Sequence, residues 1–140
     1  MENKYHSCKI YKLVDNTNGN IYIGSTTREL NIRLNEHRRP CRNVSREIIK
    51  NGDYKIELIK LFKCENKYEL EEEEKKHIIN TNCINITIPH RTQHEWVETN
   101  KEKLKLNRSK KITCECGSII CKYDISRHKK TKKHLKYLNL

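Results

Sequence analysis

Two short apolar, strand-forming stretches held apart by a turn constrain this chain more than any other feature. Cys8 to Val14 (CKIYKLV) alternates and is rich in strand formers, and Ile21 to Gly24 (IYIG) is similar. Between them lies Asp15-Asn16-Thr17-Asn18-Gly19-Asn20, dense in turn formers and containing an Asn-Gly pair. The pattern predicts a β-hairpin. If Val14 faces Ile21, then Leu13 faces Tyr22, and Tyr11 becomes its diagonal neighbour on the same face. If the turn tightens around Asn18-Gly19, the tyrosines still share a face but sit further apart. A slip by one residue would send them to opposite faces.

The residues that follow, as far as 90, fill out one small domain, 1–90. Arg28 to Arg39 carries Leu30 and Leu34 four apart, with Arg33 and His37 beside that stripe, and predicts a helix that Pro40 ends. Ser45 to Lys50 predicts a short helix with Ser45 as N-cap and Gly52 just past its end. Tyr54 to Phe62 predicts a third strand. Its Leu58, Ile59 and Leu61 point both ways, which predicts a central strand covered on both faces. Asn66 to Asn80 is helical in pattern, with Leu70 and Ile78 on one stripe, Ile79 beside them, and Glu74 midway. Glu71 sits at the stripe's edge, and Glu69, Glu72 and Glu73 are expected to face water. A carboxylate on an inward stripe is costly unless it is paired or holds a metal. In the following run, Cys83 to Ile88, Asn85 lies between two isoleucines and is expected to be held firmly. The order β-β-α-(α)-β-α has too few strands for a doubly wound sheet. It predicts an α+β fold on a small antiparallel sheet.

Charge separates the chain's two ends. Residues 1–90 hold 16 Lys/Arg against 13 Asp/Glu, a net of +3, while residues 91–140 hold 14 against 5, a net of +9. The basic surplus points to a polyanion, most simply nucleic acid. No apolar run approaches the roughly 18 residues needed to cross a membrane, and the first ten residues have no apolar signal segment. An intracellular, non-secreted protein is expected, its seven cysteines reduced and some of them metal ligands.

Tyr11, Tyr22, Arg33, His37, Glu74 and Asn85 are the unusual residues of the first ninety. Together they suit metal-assisted phosphodiester cleavage. A carboxylate holds a hard cation, Mg²⁺ or Mn²⁺, that keeps most of its waters. An arginine neutralises charge growing on the phosphate, and a tyrosine or histidine orients or deprotonates the attacking water.

Lys9-Ile10-Tyr11, then Tyr22-Ile23-Gly24-Ser25-Thr26, then Arg33-Leu34 and His37, then Glu74 with Ile78 four residues on, then Asn85, resembles the GIY-YIG nuclease superfamily. The resemblance runs in order through nearly all of residues 8–89. It implies a three-stranded antiparallel sheet flanked by helices and Mg²⁺-dependent cleavage of nucleic acid, mostly DNA. By the same resemblance Tyr11 acts as general base, with Tyr22 orienting or sharing that role. Arg33 stabilises the phosphate, Glu74 is the metal ligand with Glu71 as its rival in register, and Asn85 supports the site. His37 is an auxiliary group near phosphate or water. Lys9 departs from the pattern, which has Gly there, and is expected to hold its head in solvent.

The rest divides into a basic connector, 91–111, and a small module, 112–140. Thr92-Gln93-His94-Glu95 fits a capping box opening a helix that runs to about Arg108. Cys114-x-Cys116 followed by His128-x5-His134 supplies two thiols and two imidazoles, the set that tetrahedral Zn²⁺ takes. About 27 residues need such a staple to fold. Six residues along a helix turn about 240°, so a helix from Asp124 to Leu138 must loosen to bring both imidazoles to one ion. Cys121 is a rival ligand. The module resembles the zinc-finger tail of GIY-YIG proteins encoded by large DNA viruses, and its H-x5-H spacing is similar to fingers that bind structured nucleic acid. Lys129, Lys130, Lys132, Lys133 and Lys136 are expected to meet phosphates, with little sequence specificity. The whole therefore reads as a nicking endonuclease on a basic zinc-bearing tether. The alternative is an inactive nucleic-acid-binding protein in which only the finger works. One active site per chain cuts one strand, so double-strand cleavage needs dimerisation or sequential nicking.

Overall fold

The structure, a computed structural model, describes residues 3–40 and 42–139. They form two compact units, residues 1–91 and 92–140. The helical stretch expected as a connector belongs to the second.

In the first unit, β1 (Cys8–Asp15) and β2 (Ile21–Thr26) are antiparallel. Val14 faces Ile21, Leu13 faces Tyr22 and Tyr11 faces Gly24, the closer of the two registers expected for the tyrosines. The turn closes on Asp15. Its carboxylate accepts from Thr17 N at 2.9 Å and from Asn51 Nδ2 at 2.6 Å, and Gly19 takes the φ of +77° that the turn requires.

β3 (Tyr54–Phe62) pairs with the other side of β1, giving the order β2-β1-β3. The central strand is therefore β1, not β3. The misleading apolar pattern of β3 comes from a bulge. Ile10 faces Lys60 while Tyr11 faces Leu58, so Ile59 is an extra residue and the period of two breaks there. Ile59 packs toward the core, and Leu58 and Leu61 are exposed on an edge strand.

α1 (Leu30–Arg38) starts two residues later than its pattern predicts, after Glu29. α2 (Arg46–Lys50) follows Ser45, but the Ser45 hydroxyl makes no cap bond. α3 (Lys67–Asn80) is capped by the Asn66 side chain, which accepts from Glu69 N at 3.1 Å. Leu70 and Ile78 of α3 join Cys8, Ile10 and Ile23 of the sheet and Cys64 in the core. Each such Ile or Leu contributes about 1.5–3 kcal/mol by leaving water. Glu73 does not face water. It is buried, with Lys60 Nζ at 2.8 Å and Lys76 Nζ at 3.0 Å on its oxygens. Two ammonium stems close over it and supply the pairing that burial demands. Ile79, expected beside the stripe, is exposed.

After α3 the chain runs back beside β2. Ile84 N donates to Ile21 O at 2.8 Å, and Asn85 takes both backbone groups of Ile23.

The second unit opens with α4 (Gln93–Thr99), whose Thr92/Glu95 capping box forms as expected. Asn100 separates it from α5 (Lys101–Ser109). β4 (Lys111–Thr113) and β5 (Ile119–Cys121) make a small hairpin, Gly117 turning it at φ +80°. The predicted single helix from Asp124 to Leu138 is two helices, α6 (Ile125–His128) and α7 (Lys132–Tyr137). Thr131 caps the second, accepting from His134 N at 3.4 Å.

Candidate functional site

Pairing Tyr11 with Gly24 across the hairpin lays the phenol ring over a residue without a side chain. A Cβ at Gly24 would stand 2.5 Å from Tyr11 Oη and 2.6 Å from its Cζ. Gly24 is thus a matter of space, not of backbone angle.

The fully buried Tyr11 phenol sits in a line of bonds. Its Oη lies 2.7 Å from His37 Nε2 and accepts from Arg33 Nε at 2.9 Å. His37 Nδ1 lies 2.9 Å from Ser45 Oγ. With Arg33 donating to Tyr11, the phenol proton points to His37 Nε2, and His37 Nδ1–H donates to Ser45. Both ring nitrogens are committed, and the ring is 3 % exposed. His37 therefore does not reach a phosphate or water, as the sequence led one to expect. Burial, then the charge of Arg33, holds its pKa down at about 4, from an ordinary 6.5. Burial pushes the Tyr11 phenol well above its ordinary value against the opposing pull of Arg33. Arg33 is steered by Glu36, which takes Nη1 at 2.8 Å.

The second tyrosine has a different setting. Tyr22, edge-on to the His37 ring at 5.5 Å, lines an open cleft of ≈ 710 Å³ with Glu74, Asn85 and Arg42. Glu74 also borders a second hollow of ≈ 480 Å³ with Ser25 and Arg33. One carboxylate oxygen of Glu74 accepts from Ser25 Oγ. Burial raises the pKa of Glu74, opposed by Ser25, with Glu71 adding a like charge. Glu71 is committed elsewhere, to His90 Nε2 at 3.0 Å and Lys67 Nζ at 3.3 Å. Of the two rival glutamates, Glu74 is the one that both hollows share. A single, partly desolvated carboxylate with hydroxyl support suits a hard cation that keeps its own waters.

Asn85 lines the same cleft while its side chain holds β2 in place. Its Oδ1 accepts from Ile23 N and its Nδ2 donates to Ile23 O, each at 2.8 Å. A side-chain amide thereby does the work of a neighbouring strand next to Tyr22. Lys9 is not solvated as expected: it reaches Glu29 Oε1 at 2.9 Å and its side chain is 12 % exposed. The acid at the N-cap position of α1 supplies what solvent was expected to.

Gly24, Ser25 and Ser45 went unassigned in the sequence. The first two follow directly on Tyr22-Ile23. Ser45 is legible as an N-cap but not as the partner of His37, which lies eight residues earlier across a helix end.

In the second unit Cys114, Cys116, His128 and His134 bring their ligand atoms within 4.8 Å of one another. Cys114 Sγ is 3.3 Å from His134 Nδ1, and Cys116 Sγ is 3.1 Å from His128 Nε2. Tetrahedral zinc bonds of about 2.0–2.3 Å put neighbouring ligand atoms roughly 3.3–3.8 Å apart, so the donor set fits. The break between α6 and α7 is what swings the two imidazoles together. Cys116 is held down at about 5 by the Ser118 hydrogen bond, then by His134 and His128, toward the thiolate that a metal takes. Cys121 stands apart, donating to Arg108 O at 2.8 Å. Lys129, Lys130, Lys132, Lys133 and Lys136 are all exposed. Among the described residues no helix is long and apolar enough to cross a membrane.

Residues 7–85 match the model of the GIY-YIG catalytic domain. Over 46 residues the chain is 41% identical to "Uncharacterized protein V14" of Sputnik virophage, a stretch covering 32% of this chain and 40% of that protein. No solved structure matches. The family match takes in more than half of the chain, with the three strands of the first unit and with Tyr11 and Tyr22, and the chain belongs to the GIY-YIG family.

Proposed function

We propose that the first unit is a metal-dependent endonuclease that hydrolyses phosphodiester bonds of DNA one strand at a time, and that the second is a zinc-bearing tether to nucleic acid. The observation that carries the reading is the meeting of Tyr22, Glu74 and Arg33 about two adjoining hollows that Glu74 shares. No purely structural role calls for a partly buried carboxylate with a raised pKa there.

Arg33 neutralises the non-bridging oxygens of the phosphate as negative charge builds on them. Tyr22 borders the cleft and orients or deprotonates the attacking water, while the buried Tyr11 keeps its proton, donates a hydrogen bond to His37 and fixes Arg33. This exchanges the roles first assigned to the two tyrosines, on grounds of access. Glu74, positioned by Ser25, is the residue to hold Mg²⁺ or Mn²⁺, which when bound supplies charge neutralisation at the phosphate and a more acidic water. Asn85 keeps β2, and so Tyr22, in register. In the second unit Cys114, Cys116, His128 and His134 hold Zn²⁺. Lys129, Lys130, Lys132, Lys133 and Lys136 meet phosphates without reading bases.

The test is incubation of the zinc-loaded chain with supercoiled plasmid and with branched DNA, with and without added Mg²⁺. Open-circular or cut product that needs Mg²⁺ is expected. Intact DNA under all metal conditions contradicts the reading.

A further inference from the structure

We infer that the first unit carries its own contact for the nucleic-acid backbone, beside the cleft: Arg42 and Lys50, with Arg46 between them, bind phosphates flanking the one that is cut. Which phosphate lies next to them rests on the nuclease reading. The contact itself does not.

Three observations carry it. The first is continuity. Arg42 and Asn43 line the cleft that holds Tyr22 and Glu74, and they also line a neighbouring open groove whose walls include Arg46, Glu47 and Lys50. Arg46 and Lys50 are four apart on α2 and so share one side of it. A chain of phosphates leaving the cleft on this side meets one cation after another.

The second is charge left over. Most other basic side chains of the unit face an acid. Lys9 meets Glu29, Lys12 and Lys55 meet Glu57, Arg28 and Arg33 meet Glu36, and Lys60 and Lys76 meet Glu73. Arg39, Arg42, Arg46 and Lys50 make no ion pair among the described residues, although Glu47 stands within the groove. Elsewhere in the unit Lys4, Arg38 and Lys63 also meet no acid among the described residues, but each lies on a different segment, whereas Arg42, Arg46 and Lys50 share one groove beside the cleft. Crowded cations repel one another unless an anion joins them.

The third is the contrast with the other hollow at Glu74. Three of its four cations, Arg28, Arg33 and Lys67, are held by Glu36 and Glu71, and the fourth, Lys4, lies over the Tyr5 ring. That side is largely neutralised and offers a strand less than the row beside Arg42. The asymmetry gives the substrate a direction, out over Arg42 rather than over Lys67. The ligand class follows from the shape. The groove is open and its cations lie in a row, which suits a polyphosphate backbone rather than a single enclosed anion.

The test is binding of the full zinc-loaded chain, carrying Glu74→Gln so that cutting does not intervene, to a labelled DNA duplex over a range of KCl concentrations. Arg42→Ala/Lys50→Ala removes two exposed cations from the groove. Lys63→Ala/Lys67→Ala removes two exposed cations elsewhere on the same unit, and the finger is intact in both. Each backbone phosphate neutralised adds about 0.9 to the steepness of log K against log salt. The groove variant is expected to lose about two such contacts, so its slope becomes shallower by about 1.8, while the control keeps the parental slope. An unchanged slope in the groove variant, or equal shifts in both, overturns the inference. A wild-type chain that cuts nothing in Mg²⁺ overturns the nuclease reading alone, since the slope comparison needs no cutting.

Discussion

Gly24 and Ser45 matter because of what they let two larger residues do. Gly24 makes room for the Tyr11 ring, and Ser45 takes the second ring nitrogen of the histidine that Tyr11 meets. Gly24→Ala must drive the phenol off its place. Overpacking of this kind costs about 1–3 kcal/mol, read as a lower thermal midpoint, and the cleavage rate is expected to fall with it. Ser45→Ala leaves His37 Nδ1 without its partner in a buried setting, a loss of about 1–3 kcal/mol in unfolding free energy. His37 makes stability depend on pH in a stated direction. Its folded pKa, about 4, lies below its ordinary 6.5, so below pH 6.5 the unfolded chain takes up a proton that the folded chain refuses. Its contribution is full above about pH 6.5 and is lost as pH falls toward 4. The part due to His37 is on the order of 3 kcal/mol. Denaturant unfolding at pH 7 and pH 4.5 is expected to show a steeper loss for wild type than for His37→Gln, which has no proton to gain. Equal losses would contradict the buried neutral imidazole.

At the scale of elements, most of what positions the site could be read from the sequence. The turn formers between two alternating segments predict β1, β2 and their register, and the Leu70–Glu74–Ile78 stripe predicts which glutamate α3 turns toward the site. Three features could not be read this way, because each depends on a partner on another element. The bulge at Ile59 scrambles the pattern of β3 and disguises an edge strand as a central one. Glu73 is drawn inward by Lys60, which lies on a different element. Ser45 is a third case: it occupies the N-cap position that its residue type predicts, yet its hydroxyl is spent on His37. Asn85 joins the two kinds. Its firm placement is legible from the flanking isoleucines, but its partner, the backbone of Ile23, is not. Asn85→Ala removes both bonds to β2 and exposes a strand edge beside Tyr22. A loss of about 1–3 kcal/mol in chemical denaturation is expected, with faster hydrogen exchange at the Ile23 amide.

At the scale of the whole molecule, the chain divides into two compact units, and the proposal gives each its own chemistry. The net charge of +12 first suggests only a polyanionic partner. Its larger share, +9, lies in residues 91–140, which also hold the Cys114, Cys116, His128 and His134 cluster, and part of the smaller share lies next to the cleft. A module of this size has little core of its own, so on the proposed reading its folding is expected to depend on zinc. Calorimetry of the chain treated with a zinc-selective chelator is expected to lose the transition of the second unit and keep that of the first. Cys121→Ser is expected to retain bound zinc, and Cys114→Ser to lose it, by atomic absorption.

The central claim, that Glu74 holds the metal at which a phosphodiester is cut, is tested most directly by single-turnover cleavage with saturating Mg²⁺, comparing wild type with Glu74→Gln, which is nearly the same shape without the charge. The account predicts a rate at least about a thousandfold lower in the variant, more than 4 kcal/mol of transition-state stabilisation, with DNA binding retained. A variant that cuts within a few fold of wild type would contradict it.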